Sequence, residues 1–324
     1  MVRQARRDLR VGRFPTAPRR RALCCCVTVS RERDSFIVSE ELFSDVTMVI
    51  PAYNAAATIE RTIRSARWLA GARVVVVDDG STDDTTERAR GNGAEVVSQP
   101  NQGAAVARKT GLAVAETPLV IFEDSDDQLL AGIRTACKVI RSDERIACVG
   151  GRAVFAAADG SKVRRPTGAE PGVIGVEDLL RRRYAPFPPS AAVWRTAKAR
   201  EAALAQPPSL QPRFAEDFEL LIRAAIVGSV VAIEDFTSSY SSVGGRSFDN
   251  AVDGVRDSER IRQYYSAFFG IDVDLLTPRQ IKDQAAWRKF FATGKADKPL
   301  SILRYAFDNR GLLGRFVRKR MESH

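Results

Sequence analysis

The chain has 324 residues, 44% of them hydrophobic, enough to bury one sizeable core with an appendage, or two small domains. Its net charge of +10 is uneven: residues 1–21 hold eight Arg and one Asp, so most of the excess sits in one segment, and the body does not read as a nucleic-acid binder. No apolar run approaches the roughly 18–20 residues of a membrane span, and the single histidine, His324, leaves neither a Cys/His metal site nor a catalytic histidine to consider.

Cysteine usage bears on compartment. Cys24, Cys25 and Cys26 are adjacent, with Cys137 and Cys148 far away. Neither zinc-ligand spacing nor a disulfide framework results, which favours a reducing cytoplasm. Arg19–Val27 imitates the charged and apolar parts of a signal peptide, but the apolar part is short and charge resumes at Arg31.

Residues 1–44 are rich in Arg and Pro without periodicity and read as a mostly disordered basic tail. The folded part opens with Val46–Ile50, a strand ended by Pro51, followed by a loop at Ala52, Tyr53 and Asn54. A helix is expected from Ala55 to about Ala70, with Ile59, Ile63 and Ala66 on one face. Arg73–Val77 is a second strand, buried on both faces by its run of valines. It ends in Asp78-Asp79-Gly80-Ser81, where Ser81 or Thr82 suits the cap of a helix running to about Arg90. Glu95–Val97 is a short third strand. Asn101-Gln102-Gly103 leads into a helix over 104–115, and Pro118–Ile121 forms the fourth strand.

This β-α alternation predicts right-handed crossovers and a mostly parallel sheet covered by helices. Pro51-Ala52-Tyr53-Asn54 stands where a dinucleotide fingerprint requires Gly-x-Gly-x-x-Gly, and no P-loop occurs. The fourth strand runs instead into Phe122-Glu123-Asp124-Ser125-Asp126-Asp127. Ligands of open α/β sheets sit outside the carboxyl ends of the strands. Clustered carboxylates there repel one another unless a cation or donors hold them, and Mg²⁺ and Mn²⁺ bind one or two carboxylates with phosphates and water. Taken alone, the stretch reads first as a solvated loop capping the next helix; the rest of the chain changes that.

Further on, a helix carrying Leu129, Ile133 and Cys137 is expected to reach Arg141, then strands at Ile146–Val149 and Ala153–Phe155 with a turn at Ala158–Ser161. Pro-rich loops at 185–190 and 206–212 flank a strand and short helix. A helix starts near Ala215 with Glu216 and Asp217 in its first turn, a pattern that by itself signifies helix N-terminal stabilisation. Ser229–Asp235 is a strand and Ser238–Gly245 a loop. From Asp253 the chain is amphipathic and helical, ending in a segment where Arg and Lys alternate with Leu312, Leu313, Phe316 and Val317.

Five separated stretches now match one family in order: Met48–Asn54; Val76–Asp83; Asn101-Gln102-Gly103 with Ala107-Arg108; Asp124-Ser125-Asp126-Asp127; and Glu216-Asp217. Together they resemble the family 2 glycosyltransferases of the GT-A fold, over roughly residues 46–245. The resemblance implies an α/β GT-A sheet with a helical C-terminal extension. Its expected divisions are a tail (1–44), a transferase domain (45–252, with a nucleotide-binding half to 150 and an acceptor half after it) and the extension (253–324). It implies that Pro51, Ala52, Tyr53 and Asn54 line the nucleotide base, with Tyr53 stacking, and that Asp79 reads the base edge. Arg108 serves base or phosphate oxygens, although Lys109 stands where many members have Asn. Asp126 ligates Mn²⁺ or Mg²⁺, Asp124 meets the ribose or supports the metal, and Ser125 and Asp127 help hold the donor. Asp217 is the general base of a single, inverting displacement. A flexible loop over the donor corresponds to Tyr240–Arg246; the Arg-x-x-Arg-Trp motif and metal-binding His of many members are missing.

The implied partners are a nucleotide sugar, UDP-linked, and a hydroxyl acceptor that is a glycan, a lipid-linked molecule or another alcohol, with no nucleic acid. The basic ends also suit a peripheral contact with an anionic cytoplasmic membrane face. Two other readings share the sheet: a nucleotide-sugar-binding protein without turnover, and a nucleotidyltransferase, which usually opens with a Gly-rich basic loop.

Overall fold

The computed structural model describes residues 42–156, 162–167, 170–182, 185–241, 250–293 and 298–309. The basic tail up to residue 41, the Ala158–Ser161 turn, most of the Tyr240–Arg246 loop and the basic–apolar end after Asn309 lie outside them. The described chain already joins the body at Phe43. Its ring is buried, its N–H donates to Ala70 O at 2.8 Å, and the guanidiniums of Arg134 and Arg141 lie over it at 5.5 and 5.0 Å.

Among the described residues one sheet organises everything. Its first half is β1 (Val46–Ala52), β2 (Arg73–Asp78), β3 (Glu95–Ser98) and β4 (Leu119–Phe122), all parallel in the order β3-β2-β1-β4. The connecting helices are α1 (Ile59–Ser65, extended by a 3-10 turn), α2 (Thr85–Gly91) and α3 (Ala104–Val114). The second half adds β5 (Gln128–Leu129), α4 (Ile133–Ser142), β6 (Ile146–Ala156), β7 (Lys162–Thr167), β8 (Gly172–Ile174), α5 (Val176–Arg181), β9 (Ala192–Arg195), α6 (Thr196–Leu204), α7 (Glu216–Val227) and β10 (Ser229–Ser241). The sheet continues β4-β9-β6-β10-β5. β9 is antiparallel to both neighbours, while β6 and β10 pair in parallel, so most strands run in one direction. The α/β architecture with a mostly parallel central sheet is the one anticipated.

Alternation along the strands builds a core on each face. Met48 and Ile50 of β1 pack with Ile59, Ile63, Val76 and the apolar side of α4, whereas Val49 packs opposite, with Val75, Val77, Ala107, Trp194 and Leu221. α3 approaches β1 through Gly111, where a Cβ would stand 2.1 Å from Val49 Cγ1. Three helices complete the described chain: α8 (Ala251–Phe269), α9 (Pro278–Thr293) and α10 (Pro299–Asp308). Arg262 of α8 is buried and donates to Leu180 O and Asp274 O. Arg304 of α10 pairs with Asp283 of α9 at 2.7 Å.

Three local expectations change. α2 starts at Thr85 rather than after Ser81, because Ser81 and Thr82 are engaged with Asn54: Asn54 N donates to Ser81 Oγ at 3.0 Å and Thr82 N to Asn54 Oδ1 at 2.8 Å. Leu129 is not helical; it pairs with Ser238 at the edge of β10, and the helix begins only after Gly132. Ser238–Ser241, read as loop from its serines, is strand. β10 stays on β6 through three irregularities in register, and its hydroxyls find internal partners, with Thr237 Oγ1 donating to Ala191 O at 2.8 Å.

Candidate active site

The carboxyl ends of β1, β2 and β4 lie side by side, since Ala52 registers with Asp78 and Val49 with Phe122. The loops that leave them carry the expected donor-side residues. Pro51 and Ala52 are buried at the end of β1, and Tyr53 and Asn54 stand exposed beyond it. Asn54 holds φ 49 and is fixed by its exchange with Ser81 and Thr82. The Tyr53 ring therefore rides on a pinned loop, accessible for stacking.

Asp79 is buried and its carboxylate is well occupied. Oδ1 accepts from Gln99 Nε2 at 2.8 Å and Gln102 N at 2.9 Å, and Oδ2 from Gly103 N at 2.7 Å. It thus moulds the turn into α3, where Gly103 has φ 90. A carboxylate offers about four lone-pair sites, so capacity for a further donor remains.

Beyond β4 the four carboxyl groups differ sharply. Glu123 is buried with neither oxygen partnered, and burial, reinforced by Asp127, Asp124 and Asp126, pushes its carboxyl well up. Asp127 is buried too, but bonded: Ser190 Oγ donates to Oδ2 and Ser241 N to Oδ1, each at 2.8 Å. Burial and Asp124 still push it upward. Asp126 is half-buried and pushed up by burial, then by Asp124. Asp124 is held by Arg108 Nη2 at 2.6 Å. The Ser125 and Asp127 carbonyls both lie within reach of the Thr62 hydroxyl, at 3.0 and 2.8 Å, and Arg61 donates to Asp126 O at 3.1 Å. Helix α1 therefore fixes the backbone of the acidic loop.

Asp217 arrives from the other half of the chain. Ala215, at φ 58, turns the backbone into α7 and sets Glu216 and Asp217 in its first turn. Arg108, with a largely buried side chain, bridges the two regions: Nη1 reaches Glu216 at 3.1 Å while Nη2 holds Asp124. Asp217 accepts from Phe218 N at 2.8 Å. Burial first, then Glu216, raises its carboxyl to about 6, against the lowering influence of Arg108 and of Arg288 on α9. That is the range in which a carboxylate works as a base near neutral pH.

Among the described residues no group of three His, Cys, Asp or Glu side chains is arranged around a common metal position. The pair Asp124 and Asp126 is a different matter. Its mutual repulsion and the half-buried setting of Asp126 fit a hard divalent cation that takes one or two carboxylates and completes its shell with phosphates and water.

The structure thus brings Asp124, Asp126, Arg108 and Asp217 into one charged cluster, with Tyr53, Asn54 and Asp79 on neighbouring loops. Sequence reasoning missed Glu123 as a buried, unpartnered carboxyl, Glu216 as the partner of Arg108, and Arg61, Thr62, Ser190 and Arg288 as supports. Thr62 and Arg61 carried a weak signal, lying on the solvent-to-core boundary of a helix directly after β1. Ser190 and Arg288 carried none.

Residues 47–187 match the family model described as Glycosyl transferase family 2. The succinoglycan biosynthesis protein ExoU of Rhizobium meliloti is 43% identical over 98 residues, 28% of this chain and 28% of that protein. The pre-mycofactocin glycosyltransferase of Mycobacterium tuberculosis is 45% identical over 92 residues, 25% of this chain and 18% of that one. The matches to these relatives thus span less than a third of their length. Two solved structures share the fold. S. aureus TarS in complex with UDP-GlcNAc has a TM-score of 0.51 at 20% identity, covering 76% of this chain and 72% of that one. The mannosyltransferase PcManGT of Pyrobaculum calidifontis, in complex with GDP-Man and Mn²⁺, has a TM-score of 0.52 at 18% identity, covering 86% and 80%.

Proposed function

The chain belongs to glycosyltransferase family 2 through residues 47–187, and from that premise we propose that it transfers a sugar from a nucleotide-diphosphate sugar, UDP-linked, to an acceptor hydroxyl with inversion. The observation that carries this reading is the Arg108 bridge. One guanidinium ties Asp124 of the acidic loop to Glu216, the neighbour of Asp217, so donor-side and acceptor-side carboxylates share one site.

In this reading Tyr53 stacks on the base and Asp79 accepts its N–H. Pro51, Ala52 and Asn54 shape that pocket. Asp126, with Asp124 beside it, holds Mn²⁺ or Mg²⁺; when bound, the cation supplies Lewis-acid stabilisation to the departing diphosphate. Ser125 and Asp127 act through the loop: Asp127 anchors it to Ser190 and β10, and Ser125 offers its backbone to α1. Asp217 removes the proton of the acceptor hydroxyl as the anomeric bond breaks. Glu216, paired with Arg108, keeps negative charge next to Asp217, which helps hold the base in a working range.

The transferase domain (45–252) does this chemistry, and the helical extension (253–324) adds Arg288 near the base. A cytoplasmic enzyme resting on an anionic membrane face agrees with Leu300, Leu303 and Phe307, exposed along one side of α10 just before the basic end of the chain. Among the described residues no helix is long and apolar enough to cross a membrane.

Incubation with UDP-, GDP- and dTDP-sugars tests the reading. Release of the nucleoside diphosphate is expected. Release of pyrophosphate assigns nucleotidyl transfer instead, and saturable binding with no release under any acceptor assigns a non-catalytic binder.

A further inference from the structure

An open cleft of about 530 Å³ lies between Leu210–Phe214, the segment leading into α7, and the first turns of α8; Arg213, Phe214, Asp253, Arg256, Asp257 and Arg260 line it. None of these belongs to the donor motifs. The cleft wall is fixed from behind. Buried Glu219 accepts from Ser209 Oγ at 2.8 Å, Leu210 N at 2.7 Å and the Tyr265 hydroxyl at 2.8 Å. Asp257 accepts from Phe214 N at 3.0 Å. Arg223, also buried, donates to Ala205 O and Pro207 O. A loop secured this way presents its side chains in a defined place, which a binding surface requires.

The charges in the cleft are unbalanced in favour of cations. Arg256 pairs with Asp253, and Arg260 with Asp257 at 3.1 Å, both within α8. Their arginine side chains are 56% and 64% exposed, and such surface pairs contribute little, so they yield readily to a stronger partner. Asp257 is already engaged by Phe214 N. Arg213 is exposed, lies over the Phe214 ring at 5.5 Å, and has no carboxylate partner among the described residues. Three planar guanidiniums around one opening suit a tetrahedral oxyanion, which they bind through paired N–H groups.

The position matters as much as the charge. Phe214 forms the cleft wall, Ala215 turns the chain, and Glu216 and Asp217 follow at once. Arg288 of α9 adds a further positive influence at Asp217. We propose that this cleft seats the acceptor, and that the acceptor carries a phosphate group close to the hydroxyl that is glycosylated. The assignment rests on Asp217 being the base, as proposed above.

Glycerol 3-phosphate and glycerol serve as soluble probes, titrated against the full chain with UDP and Mn²⁺ present. Mixed micelles carrying phosphatidic acid or phosphatidylcholine serve as the lipid-borne pair. Glycerol 3-phosphate is expected to bind and glycerol not. Arg213→Ala and Arg260→Ala are expected to weaken it by about tenfold each, with UDP affinity and the urea midpoint unchanged. Arg145→Ala, an exposed arginine between α4 and β6, is expected to do nothing. Binding only by phosphatidic acid, lost in the same two variants, assigns a lipid-borne phosphate. Silence in both arms, equal binding of the uncharged probes, or an equal loss in Arg145→Ala overturns the proposal. If UDP fails to bind while Arg213-dependent phosphate binding persists, the donor reading falls and the anion cleft stands.

Discussion

Arg108 is shared between two duties, its Nη2 on Asp124 and its Nη1 on Glu216, and its Nε is buried without a partner. Replacing it with leucine leaves two half-buried carboxylates uncompensated. Arg108→Leu is expected to cost about 1–3 kcal/mol, read from the urea midpoint; the partial exposure of both acids keeps this below the cost of breaking a fully buried pair. Asp217→Asn keeps the shape and removes the proposed base, so donor binding should persist while transfer falls by roughly 10²–10⁴-fold. The base must be unprotonated to accept a proton. With its carboxyl raised to about 6, kcat/KM should therefore be level above that pH and fall by about tenfold per unit below it. A flat profile down to pH 5 would remove Asp217 from the role. Glu219, two residues along α7, is no neutral control, although its place on another helix face suggests one. It is buried and accepts three hydrogen bonds, so Glu219→Gln should itself destabilise; Glu234, 75% exposed, is the better comparison. The acids and Arg108 were legible only together, through the ordered resemblance to one family; alone, the acidic run reads as a capping loop and Arg108 as a solvated helix residue. Their pairing was not, because spacing along a chain does not say which carboxylate an arginine from another helix will meet.

At the scale of elements, α3 is set against β1 by what residue 111 lacks. A methyl there would drive into Val49 Cγ1, in the middle of the central strand. Gly111→Ala is expected to destabilise by about 1–3 kcal/mol despite the higher helix propensity of alanine, because overpacking a strand core outweighs it. An unchanged urea midpoint would mean that α3 shifts at no cost. The same shift would move Arg108, so the donor affinity of this variant should fall as well. Most elements were readable: continuous apolar runs marked β1, β2 and β4, apolar spacing marked α4, and first-turn acids marked α7. Two of the exceptions share a cause. Ser238–Ser241 is strand and Leu129 is edge-paired because β6 and β10 offer each other a long ladder, and a tertiary partner overrides local composition.

For the whole molecule, the outward side of α10 is the feature least explained by folding. Leu300, Leu303 and Phe307 are 71%, 65% and 63% exposed, and residues 310–320 add Arg310, Arg315, Arg318, Lys319 and Arg320. Co-flotation with vesicles rich in phosphatidylglycerol is expected at low salt and should weaken in high salt, since charge attraction is screened. Leu303→Glu should reduce it without altering UDP affinity. No flotation at low salt would exclude the surface contact.

The order of strands across the sheet also has a consequence for how the protein is made. β1 to β4 meet through short crossovers, so this half can assemble while the ribosome is still supplying the rest. β4 must then wait for β9, and β6 for β10, partners from far later in the chain. Such distant pairings form slowly because loop closure comes before any contact repays it. The nascent chain therefore spends an interval with the edge of β4 open, a state prone to pairing with other chains. Asp217 belongs to the late-arriving part, and Asp127 is anchored by Ser241 at the end of the last strand. A chain released early would hold the loops of β1, β2 and β4 and lack Asp217, so in the proposed reading synthesis must pass β10 before the site is complete.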